Sequence, residues 1–208
     1  MPPRQSKEKR IKQLLDAALE CFGNRGYHHT QVSDIIEKAK VARGTFYLYF
    51  ESKREIFDVL MRELFDKVKK QIQSLPYDAI DKIPAQLLGN IERVTGLLFT
   101  EPLLTRLLFN EAVGLDAEQD EELRNFYGQI LNYIHRGLKQ GQEMGFVREG
   151  NVPMMALCLL GSLKEIFYQS LLGTEKIKKK EVVRELFRSV AGAVIDPSKL
   201  FLVEGFLK

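Results

Sequence analysis

At 208 residues, with 45% hydrophobic and 28% charged side chains, the chain has the composition of an ordinary globular protein of one or two small domains. No run of about 18 apolar residues occurs, which argues against a membrane-spanning helix, and the start MPPRQSKEKRIKQ lacks the apolar stretch of a secretory signal. The net charge of +3 is unevenly spread: residues 1–54 hold 11 Lys and Arg against 6 Asp and Glu, the remainder 20 against 22, so a polyanion is expected at the front end.

Helical periodicity runs through almost the whole chain, with no sustained alternation and no hairpin signal, so an all-α fold of about nine helices is expected. Ser6 is positioned to cap a first helix over about Lys7–Asn24, whose Ile11, Leu14, Leu15, Ala18 and Phe22 recur at helical spacing. Gly26 then suits a left-handed helix end. Thr30 is expected to cap a short second helix carrying Val32, Ile35, Ile36 and Ala39. Lys40 and Val41 make a tight turn into a third helical stretch, Val41–Phe50. Here Val41, Phe46 and Phe50 ask for burial, while Arg43, Thr45, Tyr47 and Tyr49 carry donors. Ser52 with Glu55 forms an S-x-x-E capping box for a fourth helix reaching about Ser74, before Pro76. At about 1.5 Å per residue it exceeds about 30 Å. Further helices are expected over Pro84–Phe99, Pro102–Val113, Ala117–Met144 with Asp116 as cap, Pro153–Leu172 and Lys179–Ile195. The apolar tail 199–208 has no assignable pattern. Cys21 and Cys158 both fall in apolar helical contexts and read as reduced packing residues of a cytoplasmic protein.

Three short helices followed by a long one, with a tight turn between the second and third, have helix-turn-helix geometry, which lays the third helix in the DNA major groove. The residues add to the spacing. The run Ala18-Leu19, Phe22, Gly26-Tyr27, Thr30-Gln31-Val32, Asp34-Ile35-Ile36, Ala39, Val41, Gly44-Thr45-Phe46-Tyr47, Tyr49-Phe50, Ser52-Lys53 and Ile56 resembles the tetracycline-repressor (TetR) family of bacterial transcriptional regulators, over about residues 9–60. The resemblance implies DNA contacts from Gln31, Ser33, Arg43, Gly44, Thr45, Tyr47, Tyr49 and Lys53. Arg43 would face base edges, where its fork suits guanine O6 and N7. Thr45 would meet a phosphate or a thymine methyl, and Tyr47 and Tyr49 would donate to phosphates. Lys53 would meet a phosphate at the start of the fourth helix. Two positions depart from the family pattern. Lys40 stands where glycine is usual, so it should sit at positive φ at about 1 kcal/mol. Ala42 stands where a serine cap is usual, forgoing about another 1 kcal/mol.

Residues 1–52 are thus expected to form the DNA-binding domain and residues 53–208 a helical effector-binding and dimerisation domain. The family pairs its last two long helices across a two-fold axis; here they offer Leu157, Leu160, Gly161, Phe167, Val183, Leu186, Phe187 and Val190. Phe99, Leu104, Phe109, Phe126, Tyr127, Ile130 and Phe167 are the expected lining of an apolar or amphipathic effector's cavity. A fatty-acyl compound, a drug or an aromatic would fit it. The function expected is a ligand-released repressor on a palindromic operator. No cofactor, metal site or catalytic residue is expected: His28, His29 and His135 show no metal-ligand spacing, and no phosphate-cradling glycine loop occurs. A helical adaptor binding a protein partner without DNA recognition is the competing reading.

Overall fold

The computed structural model describes residues 4–110, 119–172 and 177–206, apart from the side chains of residues 4–6, 108–110, 119–123, 126, 171 and 172. Among these, nine α-helices follow one another: α1 (Arg4–Arg25), α2 (Val32–Ala39), α3 (Arg43–Tyr47), α4 (Lys53–Gln71), α5 (Ile83–Thr100), α6 (Pro102–Asn110), α7 (Gln119–Glu143), α8 (Val152–Leu172) and α9 (Lys179–Val194). Short 3-10 turns precede α5 and follow α9. An isolated bridge between Val147 and Ile195 is the one extended pairing among the described residues. The all-α expectation holds.

The chain divides into two compact units. One takes residues 1–67 and 101–115, the other residues 68–100 and 116–208. Leu14, Ala18 and Phe22 of α1, Ile35 of α2, Phe46 of α3 and Ile56 of α4 are almost wholly buried in the first. The Phe57 ring meets Tyr27 at 4.7 Å and Phe22 at 5.8 Å between centroids, at steep angles that suit aromatic quadrupoles. α6 belongs to this unit and lies hard against α1: a Cβ at Gly23 would stand 2.8 Å from the Leu103 side chain.

Helix ends differ from the sequence expectation where side chains found other work. α1 begins at Arg4, so Ser6 lies inside it rather than at its cap; Lys7, Glu8 and Lys9 are good helix formers and nothing there breaks the helix. Gln31, not Thr30, caps α2, and the Asp34 carboxylate accepts from the Gln31 backbone N–H at 2.7 Å. Thr30 is buried instead, donating its hydroxyl to Gly26 O at 2.7 Å. The Ser52 hydroxyl caps α4 by accepting from Glu55 N at 3.1 Å; the return bond of Glu55 goes to Glu51 N rather than to Ser52. α4 stops at Gln71, three residues short of Ser74. The expected ends of α6 at Val113 and α7 at Ala117, the Asp116 cap and Gly173 lie outside the described residues.

In the second unit, Ile83, Leu138, Phe146, Val147, Ala156, Phe187, Ala191, Ile195 and Val203 form one core. The tail, unassignable from sequence, is part of it. Asp196 accepts from Ser198 N at 2.9 Å to start a 3-10 turn, Val203 is fully buried, and Phe206 stacks edgewise on Phe187. Gly145, at φ 66°, ends α7 as its position implied.

A polar clamp holds the residues just beyond α4. Asn90 of α5 donates Nδ2–H to Gln73 O at 2.8 Å and accepts from Gln73 N at 3.0 Å. Arg93 donates Nε–H to Gln71 O at 2.9 Å and a second N–H to the Asn90 amide oxygen. Tyr133 of α7 adds a hydroxyl to Gln73 O at 3.1 Å. The last carbonyl of α4, Gln71 O, is therefore met by the Arg93 side chain rather than by a glycine cap.

Candidate nucleic-acid interface

α3 is five residues long, too short to stand without tertiary support. The support comes from Phe46 and Phe50, both buried against the first unit's core. The entry turn is set by Lys40, at φ 53° and ψ 47°, whose N–H bonds back to the end of α2. Lys40 is the one non-glycine residue at positive φ among the described residues, at the position the sequence singled out. Ala42 enters α3 in extended conformation with no side-chain cap bond.

With Phe46 and Phe50 facing inward, the opposite face is fixed by helical geometry. Arg43, Gly44, Tyr47 and Leu48 are all exposed on it, and Thr45 and Tyr49 flank it half-buried. The Arg43 guanidinium carbon stands 5.8 Å from the Tyr47 ring centroid, a cation–π contact that steadies a long side chain without removing its donors. Gln31 and Ser33 are exposed at the start of α2. Lys53 is more constrained. Its Nζ donates to Tyr27 O at 2.8 Å and sits 4.2 Å over the Tyr27 ring, so it fastens α4 to the turn after α1. The structure brings all eight expected residues into the first unit. Sequence reasoning passed over Leu48, which helical spacing from Phe46 and Phe50 places on the opposite face.

The residues expected at a dimer face divide by exposure. Leu157 and Gly161 of α8 are exposed and Leu160 and Val190 half-buried, whereas Phe167, Val183, Leu186 and Phe187 are buried within the subunit. An open apolar groove of about 450 Å³ lies between α8 and α9, lined by Met154, Cys158, Ile166, Leu186 and Val190 among others. Cys158 is exposed there, unlike buried Cys21, whose thiol pKa burial raises.

The expected effector lining does not gather in one unit. Leu104 is buried in the first, while Phe99, Tyr127, Ile130 and Phe167 belong to the second. The side chains of Phe109 and Phe126 lie outside the described residues. Tyr127 stands out chemically: burial pushes its phenol up to about 12, and Lys164 Nζ lies 5.4 Å from its ring centroid. Thr95 Oγ1 and Ser170 Oγ, also in the second unit, are buried and make no hydrogen bond among the described residues.

Among the described residues no three His, Cys, Asp or Glu side chains converge as metal ligands, and no helix is long and apolar enough to cross a membrane. Comparison with known proteins gives a consistent result. The family model for bacterial regulatory proteins of the tetR family matches residues 14–60. The fatty acid metabolism regulator protein of Bacillus subtilis (strain 168) is 31% identical over 164 residues, 76% of this chain and 83% of its own. In fold, the chain is similar to the fatty acid degradation regulator FadR from Bacillus halodurans, at a TM-score of 0.72 and 23% identity over 88% of this chain and 95% of that one. It is also similar to FadR from Bacillus subtilis in complex with stearoyl-CoA, at 0.69 and 23% over 88% and 98%. An exposed donor-rich α3 on a three-helix core, the matched family model and a relative aligned over most of both chains lead to one conclusion: the chain belongs to the TetR family and is a DNA-binding transcriptional regulator, not an enzyme.

Proposed function

We propose that the chain is a repressor that binds a palindromic operator as a homodimer and leaves it when the second unit takes up an amphipathic acyl compound. The observation that carries the DNA half is the outward face of α3. Arg43 and Tyr47 are exposed there, with half-buried Thr45 and Tyr49 beside them, and their donors suit phosphates and base edges. Gln31 and Ser33 add polar groups at the start of α2. Lys53, in the first turn of α4, stands where a phosphate would meet the helix N-terminus. Residues 1–52 serve operator recognition and residues 53–208 serve dimerisation and effector binding. A regulator acting on the chromosome works in the cytoplasm.

The dimer half rests on the apolar groove between α8 and α9. Met154 and Leu157, 56% and 50% exposed, rim or adjoin it, and exposed Gly161 lets a second helix approach closely, since a Cβ there would meet nothing within 4 Å. A two-fold axis through α8 and α9 makes four helices pack as one bundle. Two α3 helices then meet half-sites about 34 Å apart, one turn of DNA, or a multiple of it.

The effector half draws on the relatives named above. Among the described residues the second unit keeps hydroxyls at Thr95 and Ser170 buried without hydrogen bonds, a cost that a ligand with polar atoms relieves. Tyr127 and Phe167 add aromatic wall. A long-chain acyl thioester combines an apolar tail with such polar atoms. It releases DNA only through a difference in its affinity for the two states. The test is a gel shift on the duplex the protein enriches from random DNA, titrated with stearoyl-CoA, free CoA and stearate. Release by stearoyl-CoA at micromolar concentration supports the reading; tighter DNA binding on adding it refutes the sign of the response.

A further inference from the structure

We infer that Leu48 and Gly44 together form an apolar reading point for one thymine methyl group in each DNA half-site. The inference rests on the DNA-binding role proposed for α3 and deepens it.

Leu48 is 69% exposed, more than any other large apolar side chain described. It lies on the face that also carries Arg43, Gly44 and Tyr47, opposite buried Phe46 and Phe50. Leu48 N donates to Gly44 O at 3.1 Å, so the two residues stand one turn apart on the same line of the helix. A helical side chain leans toward the turn before it. The Leu48 isobutyl group therefore leans toward the backbone left bare at Gly44.

Nothing inside the protein calls for that glycine. A Cβ at Gly44 would meet no atom within 4 Å, and Gly44 is not among the residues at positive φ. Glycine is disfavoured inside helices. What remains is an outside surface that must come close to the helix backbone. The two residues make a shallow apolar notch with a leucine wall, set among donors.

The notch selects its occupant by chemistry. Phosphates and most base edges offer donors and acceptors, to which leucine contributes nothing. The C5-methyl of thymine is the apolar feature of the major groove, and small apolar side chains contact it. A flush helix backbone at Gly44 lets a short side chain reach it.

The experiment uses the full-length wild-type chain and the duplex it enriches from a random-sequence pool. Each thymine is replaced singly by deoxyuridine, which removes a methyl and nothing else. At one symmetry-related pair of thymines, wild type should bind each substituted duplex about four-fold more weakly, the equivalent of one buried methyl group. Leu48→Ala, an exposed change that leaves the melting temperature in place, should bind the thymine duplex more weakly and become indifferent to the swap. Wild-type tolerance of deoxyuridine at every position overturns the inference, as does a Leu48→Ala protein that keeps the same sensitivity. In either case enrichment of a duplex leaves the DNA-binding reading standing. Failure to enrich any duplex overturns both.

Discussion

Asn90→Ala tests the clamp beyond α4. Asn90 is 7% exposed, and its amide makes two bonds to the Gln73 backbone, at 2.8 and 3.0 Å. The substitution removes both and takes an acceptor from the Arg93 guanidinium and, at 3.4 Å, from Gln86 Nε2. Gln73 itself is exposed, so its freed N–H reaches water, and Tyr133 still serves its carbonyl. The loss is then the net value of two neutral bonds at about 1 kcal/mol each, with a smaller addition for the charged partner, about 2–3 kcal/mol in all. In a chain of this size each kcal/mol moves Tm by about 2–4 °C. A thermal melt followed by far-ultraviolet circular dichroism should show a drop of about 5–10 °C. Gln169→Ala, which loses one exposed side-chain bond to Glu165 at 2.8 Å away from the clamp, serves as control and should shift Tm by less than about 2 °C. An Asn90→Ala melt within about 2 °C of wild type would refute the claim that these bonds hold α4's end.

Three other outcomes follow from single sites. Lys40→Gly relieves a left-handed lysine at φ 53°, worth about 1 kcal/mol, against a smaller entropic loss from glycine; the urea midpoint should rise modestly, and a fall would contradict the strain. Tyr127 holds its proton until about pH 12 because burial disfavours the phenolate. The folded pKa lies above the ordinary value near 10, so the stability it contributes is intact below about pH 10 and lost as pH rises towards 12; an ultraviolet phenolate titration in which every tyrosine ionises near pH 10 would contradict it. Leu157→Glu puts a charge on an exposed position of α8 beside the groove; light scattering should report monomers with an unchanged helical content, and an intact dimer would place the interface elsewhere.

Legibility from sequence followed where a residue's role is decided. The helix count and the first unit's core could be read because Leu14, Ala18, Phe22, Phe46 and Phe50 repeat at helical spacing and are buried as the spacing requires. The positive φ of Lys40 was readable because the family resemblance sets a glycine at that turn position. Caps were harder. Thr30 and Gln31 both offer an oxygen, and only the turn at Gly26, which presents its carbonyl to Thr30, decides between them. The tail could not be assigned because Val203, Leu200 and Leu202 pack on residues more than a hundred positions earlier in sequence, such as Ile83. The dimer residues split for a related reason: on α9 the same apolar periodicity serves the subunit's own core at Phe187 and the groove at Val190. An effector lining is the least legible, since Phe167 has the same chemistry whether it touches a ligand or a neighbouring helix.

α4 is where the two halves of the proposed function meet in sequence. Its first turn is fixed in one unit by the Ser52 cap and by Lys53 on Tyr27 O. The residues at and after its last turn are fixed in the other by Asn90 and Arg93. A continuous helix would pass on a displacement that a flexible linker absorbs. Asp66 and Lys69 are exposed and flank the point where the chain passes between units, at Lys67 and Val68. Asp66→Gly with Lys69→Gly removes no core contact and costs about 1 kcal/mol of helix preference in total. Operator binding by the apo protein and the dimer mass should survive, because α3 and the α8–α9 groove are untouched. The stearoyl-CoA concentration that releases DNA should rise at least several-fold, while binding of stearoyl-CoA, measured by calorimetry, stays near wild type. Release at the wild-type concentration would show that the signal does not travel along α4.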